Sequence, residues 1–188
     1  FEVTGIENQY RFRTMEEQVL FSQQCLESGL LVPRTFGHST CYLVREFIDG
    51  EIYNELLTRL EDPSIIIRYL NEISSAHSRG IVMGDRWGPN TVLTPDDRLY
   101  NFDFDIELLA EHSEEFEIAE AAYHSVADAR NKERALGMIT DFFMNNDHPY
   151  LIREVSRFLQ RRIEFYVRRN KHHQTNQMIT RFANILEG

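Results

Sequence analysis

The chain has 188 residues, enough for one domain or two small lobes, and its 42% apolar and 27% charged residues describe a globular protein without a low-complexity tract. Its formal net charge of −10 argues against a general nucleic-acid binder, because an acidic body repels a polyanion. No run approaches the roughly 18 apolar residues of a membrane helix, no secretory signal is visible, and Cys25 and Cys41 form neither a disulfide framework nor a metal motif; together these point to a reducing cytoplasm and no membrane partner.

In chain order, the first predicted element is a helix over Thr14–Ser28, capped by Thr14, ended by Gly29, with Met15, Val19, Leu20 and Phe21 as its apolar face. Short strands follow at Thr35–Phe36 and Cys41–Phe47 around a turn at Gly37–Ser39. Asp49–Glu51 breaks the strand and opens a helix through Tyr53, Leu56 and Leu57. Asp62-Pro63-Ser64 starts another, with Ile66, Leu70, Ile73 and His77 at helical spacing and Gly80 as its end. The stretch IVMGDRWGPNTVLTPDDRLYNFDFD, Ile81 to Asp105, then reads as an extended run, a loop, a strand, a turn and a strand. Beyond Asp105 the chain looks helical, over Ser113–Val126, Ala127–Asn145, Pro149–Arg169 and Gln174–Leu186. The third of these carries a stripe of Leu151, Val155, Phe158, Leu159, Ile163 and Val167. This order of elements predicts an α+β fold with segregated helices.

Charge is unevenly spread. From Leu151 on, eight Arg or Lys face three Glu, which reads as an Arg-rich solvated helix face, with docking of an acidic protein partner as the alternative. Glu111–Glu120 reads as a solvated helix start favoured by the helix dipole. His77 and Trp87 read as packing residues, although Trp87 could shape an acceptor pocket, and His172–His173 as an exposed pair.

The chemistry-bearing stretch sets Asp85, Asn90, Asp103 and Asp105 among apolar residues. Buried carboxylates need a partner. Asp85 and Asn90 are five residues apart and Asp85 and Asp103 eighteen, with a strand, a turn and a strand between. A hairpin there folds Asp103 back beside Asp85. One carboxylate would then lie near an acceptor hydroxyl, while an amide and a second carboxylate could hold a hard cation. Mg²⁺ suits such oxygen ligands, taking one or two carboxylates together with substrate phosphates.

Met83-Gly84-Asp85, Asn90 and Asp103-Phe104-Asp105 resemble the catalytic and metal-binding motifs of the protein-kinase-like superfamily. The Gly before Asp85 is similar to the atypical branches: RIO-like kinases, lipopolysaccharide-core sugar kinases and the small kinase of the tRNA threonylcarbamoyl-modifying complex. Asp105 resembles the acidic residue at that place in choline and aminoglycoside phosphotransferases. The resemblance covers about Met15 to Leu108. It implies a helical C-lobe over 49–188 and a reduced or truncated N-lobe over 1–48. It further implies a helix glutamate at Glu17, with Glu16 second, and an adenine-contacting hinge at Glu46, Phe47 and Ile48.

Under this resemblance Asp85 is the base that orients the acceptor hydroxyl, and Asp103 binds Mg²⁺ that bridges the phosphates of ATP. Asn90 holds a second Mg²⁺, Asp105 adds a metal contact or organises the ligands, and Arg86 neutralises phosphate. Met83 fills a packing position where the family usually has His. No Lys precedes Lys132, and Val3–Tyr10, with one Gly, is not a Gly-rich phosphate loop; the chain opens on Phe1, which leaves room for both upstream. The expected activity is ATP- and Mg²⁺-dependent phosphotransfer to a hydroxyl, by an atypical serine/threonine protein kinase. The alternatives are a pseudokinase acting as an interaction module and a small-molecule kinase.

Overall fold

A computed structural model describes residues 9–145 and 150–187. Of the segment Val3–Tyr10 only Gln9 and Tyr10 are therefore described, and Pro149, the expected start of one helix, lies outside the described residues. The architecture is α+β, with three small antiparallel sheets set against a group of helices. β1 (Tyr10–Phe12) pairs with β7 (Ile106–Leu108), and β2 (Thr35–His38) with β3 (Leu43–Arg45). β4 (Glu51–Ile52), β5 (Thr91–Leu93) and β6 (Leu99–Asn101) form the third sheet in that order. The helices are α1 (Met15–Glu27), α2 (Tyr53–Arg59), α3 (Ile65–His77), α4 (Ser113–Asp128), α5 (Lys132–Asn145), α6 (Ile152–Arg168) and α7 (His173–Glu187).

α4 is the central helix. It packs on α2, α3, α5, α6 and α7, and every residue from Glu115 to Val126 is buried. The expectation that Glu111–Glu120 is solvated is thus corrected for Glu115, Glu117 and Glu120. Each has an interior partner: the Leu151 N–H donates to Glu115, Glu117 meets His77 and Met83, and Glu120 pairs with Arg162. A lone charge would be too costly there, and these contacts offset the burial. His77, held between Tyr150 at 2.8 Å and Glu117 at 3.0 Å, is the packing residue its spacing implied.

Several boundaries differ from the sequence expectation. α1 has the expected Thr14 cap, and Glu17 completes a capping box. Its inward residues, however, are Gln18, Ser22 and Cys25, whereas Leu20 is 60% exposed. β2 takes in Gly37 and His38 of the turn expected at Gly37–Ser39, with a bulge between Thr35 and Gly37, and the reversal lies later, where the Ser39 N–H donates to the Tyr42 carbonyl. The helix expected over Ala127–Asn145 instead starts at Lys132, because Ala129 is extended and Lys132 Nζ donates to the carbonyls of Val126, Ala127 and Ala129. That lysine satisfies the open end of α4. In α6 the centre of the predicted stripe is buried, but Leu151 and Val167 at its ends are each 55% exposed.

β7 has no counterpart among the predicted elements, the first helix candidate beyond Asp105 starting only at Ser113. Its pairing with β1 joins residues about a hundred positions apart and ties the amino-terminal segment to the region that carries the candidate site.

Candidate functional site

The site starts from a glycine. Gly84 has φ +106°, and a Cβ there would lie 2.4 Å from the Ile106 carbonyl oxygen. A side chain is therefore refused on two grounds, backbone conformation and contact with β7. Gly84→Ala is expected to destabilise the chain by about 1–3 kcal/mol from the backbone alone, with more for the displaced strand. Chemical denaturation measures it, and a change below about 0.5 kcal/mol would refute this account of the loop.

After Gly84 the loop carries Asp85 and closes in a 3-10 turn over Gly88–Asn90. The Asn90 side chain is buried, and its Nδ2 donates to the Asp85 carbonyl at 3.0 Å. The carboxamide oxygen remains an acceptor for a cation. β5 and β6 then form the expected hairpin, with Thr91 opposite Asn101 and Leu93 opposite Leu99. Just beyond it the Phe102 N–H donates to the Asn90 carbonyl at 3.1 Å, which brings Asp103 back to the loop.

Asp103 has φ +63°, a left-handed conformation rare for a non-glycine residue and a sign of imposed strain. Two arginines hold the backbone around it. Arg86 Nη2 donates to the carbonyls of Phe102 at 3.1 Å and Asp103 at 3.0 Å. Arg13 Nη1 donates to the carbonyls of Phe104 at 3.1 Å and Ile106 at 2.5 Å, and its N–H donates to the Asp105 carbonyl at 2.7 Å. Five consecutive carbonyls are thus held by two arginines from opposite ends of the region. The Asp103 side chain is left exposed while its backbone is immobilised.

Arg86 accordingly departs from its expected place. Its side chain is fully buried, with Nε 3.8 Å from Glu117 Oε1, rather than facing a phosphate. Glu117 Oε2 accepts from the Met83 N–H and from His77, each at 3.0 Å. Phe104 is also buried, with the Phe21 ring 5.4 Å away on an edge and Arg86 on one face.

The carboxylates interact. Burial raises the Asp85 pKa; Arg86 and Arg162 oppose this, and Asp103 and Glu117 add to it. Burial raises that of Asp105, and the Asp103 and Asp85 charges raise it further. An added cation would relieve both. Among the described residues no three His, Cys, Asp or Glu side chains form a metal cage.

The remaining expected residues lie elsewhere. Glu17 accepts from the Thr14 N–H at 2.7 Å and pairs with Arg11 at 2.7 Å, so its carboxylate serves a helix cap and a surface ion pair. Glu46 accepts from the Arg34 N–H, Phe47 is 86% exposed and Ile48 is half-buried. The Glu46 carbonyl and the Ile48 N–H make no main-chain hydrogen bond among the described residues.

Sequence reasoning missed the far side of Asp85. A cavity of about 200 Å³ opens there, lined by Asp85, Trp87, Phe116, Glu120, Arg162 and Tyr166 among others. Glu120 and Arg162 form a buried ion pair in its wall, and burial pushes the neighbouring His124 imidazole down to about 4, keeping it neutral. Only the position of Trp87 beside Asp85 hinted at this cavity. A scan against protein-family models and a search of curated proteins found no match for the chain. No helix among the described residues is long and apolar enough to cross a membrane.

Proposed function

We propose that the chain is a phosphotransferase with a kinase-like arrangement, moving the γ-phosphoryl group of ATP to a hydroxyl. The observation that carries this reading is the grouping of Asp85, Asn90, Asp103 and Asp105 by one hairpin, with Asp103 held in a strained backbone conformation. The acceptor oxygen forms a bond to the γ-phosphorus as the bond to the β–γ bridging oxygen breaks. ADP leaves, and the acceptor proton passes to Asp85, whose raised affinity for a proton suits a general base. Asp103 and Asn90, with Asp105 beside them, would hold Mg²⁺, which would supply neutralisation of the triphosphate charge. The Glu46 carbonyl and the Ile48 N–H offer an edge for adenine, with Phe47 between them.

A second reading concerns the acceptor. The cavity beside Asp85 is small and walled by aromatic rings, which suits a compact hydroxylated molecule better than an extended protein segment.

Mg-ATP at about a hundred times its Kd is expected to stabilise the chain by about 2.7 kcal/mol, read as a thermal shift. Chelation of the metal or Asp103→Asn should remove that shift. Transfer from ATP to a panel of hydroxylated small molecules and to protein substrates then identifies the acceptor. A wild-type chain that shows no shift, in a full-length protein that also lacks a Lys upstream, would favour a pseudokinase acting as an interaction module.

A further inference from the structure

Three polar atoms on the β2–β3 ribbon are buried without a hydrogen-bond partner: Nε and Nη2 of Arg45 and Oγ1 of Thr35. Thr35 and Arg45 stand directly opposite each other in the ladder, so their side chains project from the same face. That face is the inner one. Both residues are half-buried, whereas the adjacent Phe36 and Val44 are 71% and 49% exposed.

A guanidinium in such a place normally has its hydrogen bonds made, because burying an unpaired polar group costs stability. Arg13 donates to the carbonyls of Phe104 and Ile106, and Arg86 donates through Nη1 and Nη2 to main-chain carbonyls while its own unpaired Nε lies 3.8 Å from the Glu117 carboxylate. Arg45 makes no such bond through Nε or Nη2. Its unused atoms are also a particular pair: Nε–H and one Nη2–H point the same way and form the edge that meets two oxygens of one phosphate or carboxylate. The Asp103 charge acts on Arg45 against the effect of its burial, although the two side chains form no direct ion pair.

We infer that Arg45 and Thr35 form an anion subsite that receives the non-bridging phosphate oxygens of the nucleotide beside the cation held by Asp103. This rests on the nucleotide reading above. Arg45 would supply two parallel donors and Thr35 a third, and the empty hydrogen-bonding capacity of the ribbon would be filled by substrate.

The test measures calorimetric binding of Mg-ATP, Mg-tripolyphosphate and adenosine to the wild-type chain and to Arg45→Met, Arg45→Lys and Thr35→Val, together with thermal midpoints. Arg45→Met is expected to weaken Mg-ATP and Mg-tripolyphosphate about tenfold or more and leave adenosine unchanged. Arg45→Lys should fall between, because an ammonium cannot present the paired edge. The midpoint of Arg45→Met should stay or rise, since no protein hydrogen bond is lost. Unchanged tripolyphosphate binding in Arg45→Met, or a large fall in its midpoint, would overturn the subsite while leaving the nucleotide reading standing. Arg45-dependent binding of tripolyphosphate without binding of ATP would keep the subsite and remove the nucleotide reading. A wild-type chain that binds neither would remove both.

Discussion

Asp85→Asn is expected to lower phosphoryl transfer by about 10²–10⁴-fold, the range for loss of a positioned proton acceptor, while the fold is retained. Asparagine keeps the shape of the side chain, and the hydrogen bond that fixes this part of the loop runs to the Asp85 main-chain carbonyl, which the substitution does not touch. Because the cost of burying the Asp85 charge outweighs the attraction of Arg86 and Arg162, and Asp103 and Glu117 add repulsion, removing that charge should hold or raise the thermal midpoint. The pH profile provides a second readout. Because the Asp85 pKa is raised from its ordinary value of 3.8, the active carboxylate is lost as pH falls through a value above the usual aspartate range. Wild-type activity should therefore show an acid limb there, and the residual activity of Asp85→Asn should not. Normal turnover in Asp85→Asn would end the assignment of Asp85 as base.

Arg86→Met is expected to destabilise the chain by about 3–5 kcal/mol, the cost of removing one partner from a buried charge pair, or on the order of 10 °C in thermal midpoint. Methionine fills much of the volume but leaves the Glu117 carboxylate without its guanidinium partner and removes the donor to the Phe102 and Asp103 carbonyls. Adding Glu117→Gln should recover part of the loss, because the neutral amide still offers an oxygen to the Met83 N–H. A double-mutant cycle reads the coupling directly. The result opposed to this account is an Arg86→Met chain with unchanged stability and lost turnover, which would return Arg86 to the phosphate-facing role that the motif implied.

Much of the fold is legible along the chain because its causes are local. α3 follows from Ile66, Leu70 and Ile73 at helical spacing, and the β5–β6 hairpin from two short apolar runs around a polar turn. The grouping of Asp85, Asn90 and Asp103 is legible for the same reason, since the hairpin converts eighteen positions of separation into proximity. β1 and β7 are not legible. Three-residue strands carry too little alternation to show a period, and each is extended because of the other, far away in the chain. The acidic start of α4 misleads for a related reason. A run of glutamates is usually solvated, and these are buried only because His77, Met83 and Arg162 arrive from other elements to meet them.

Sequence alone determined the α+β class, the helices whose apolar periods are strong, and the candidate chemistry of four oxygen-bearing side chains near one turn. Tertiary structure decided the rest: Arg86 is a buried clasp, Glu17 serves a helix cap, the carbonyls around Asp103 are held by Arg13 and Arg86, and Asp85 faces a small cavity. The physical reason is that a charged side chain has no preferred environment written into its neighbours. Its role depends on which partner, delivered by a distant part of the chain, pays the cost of taking it out of water.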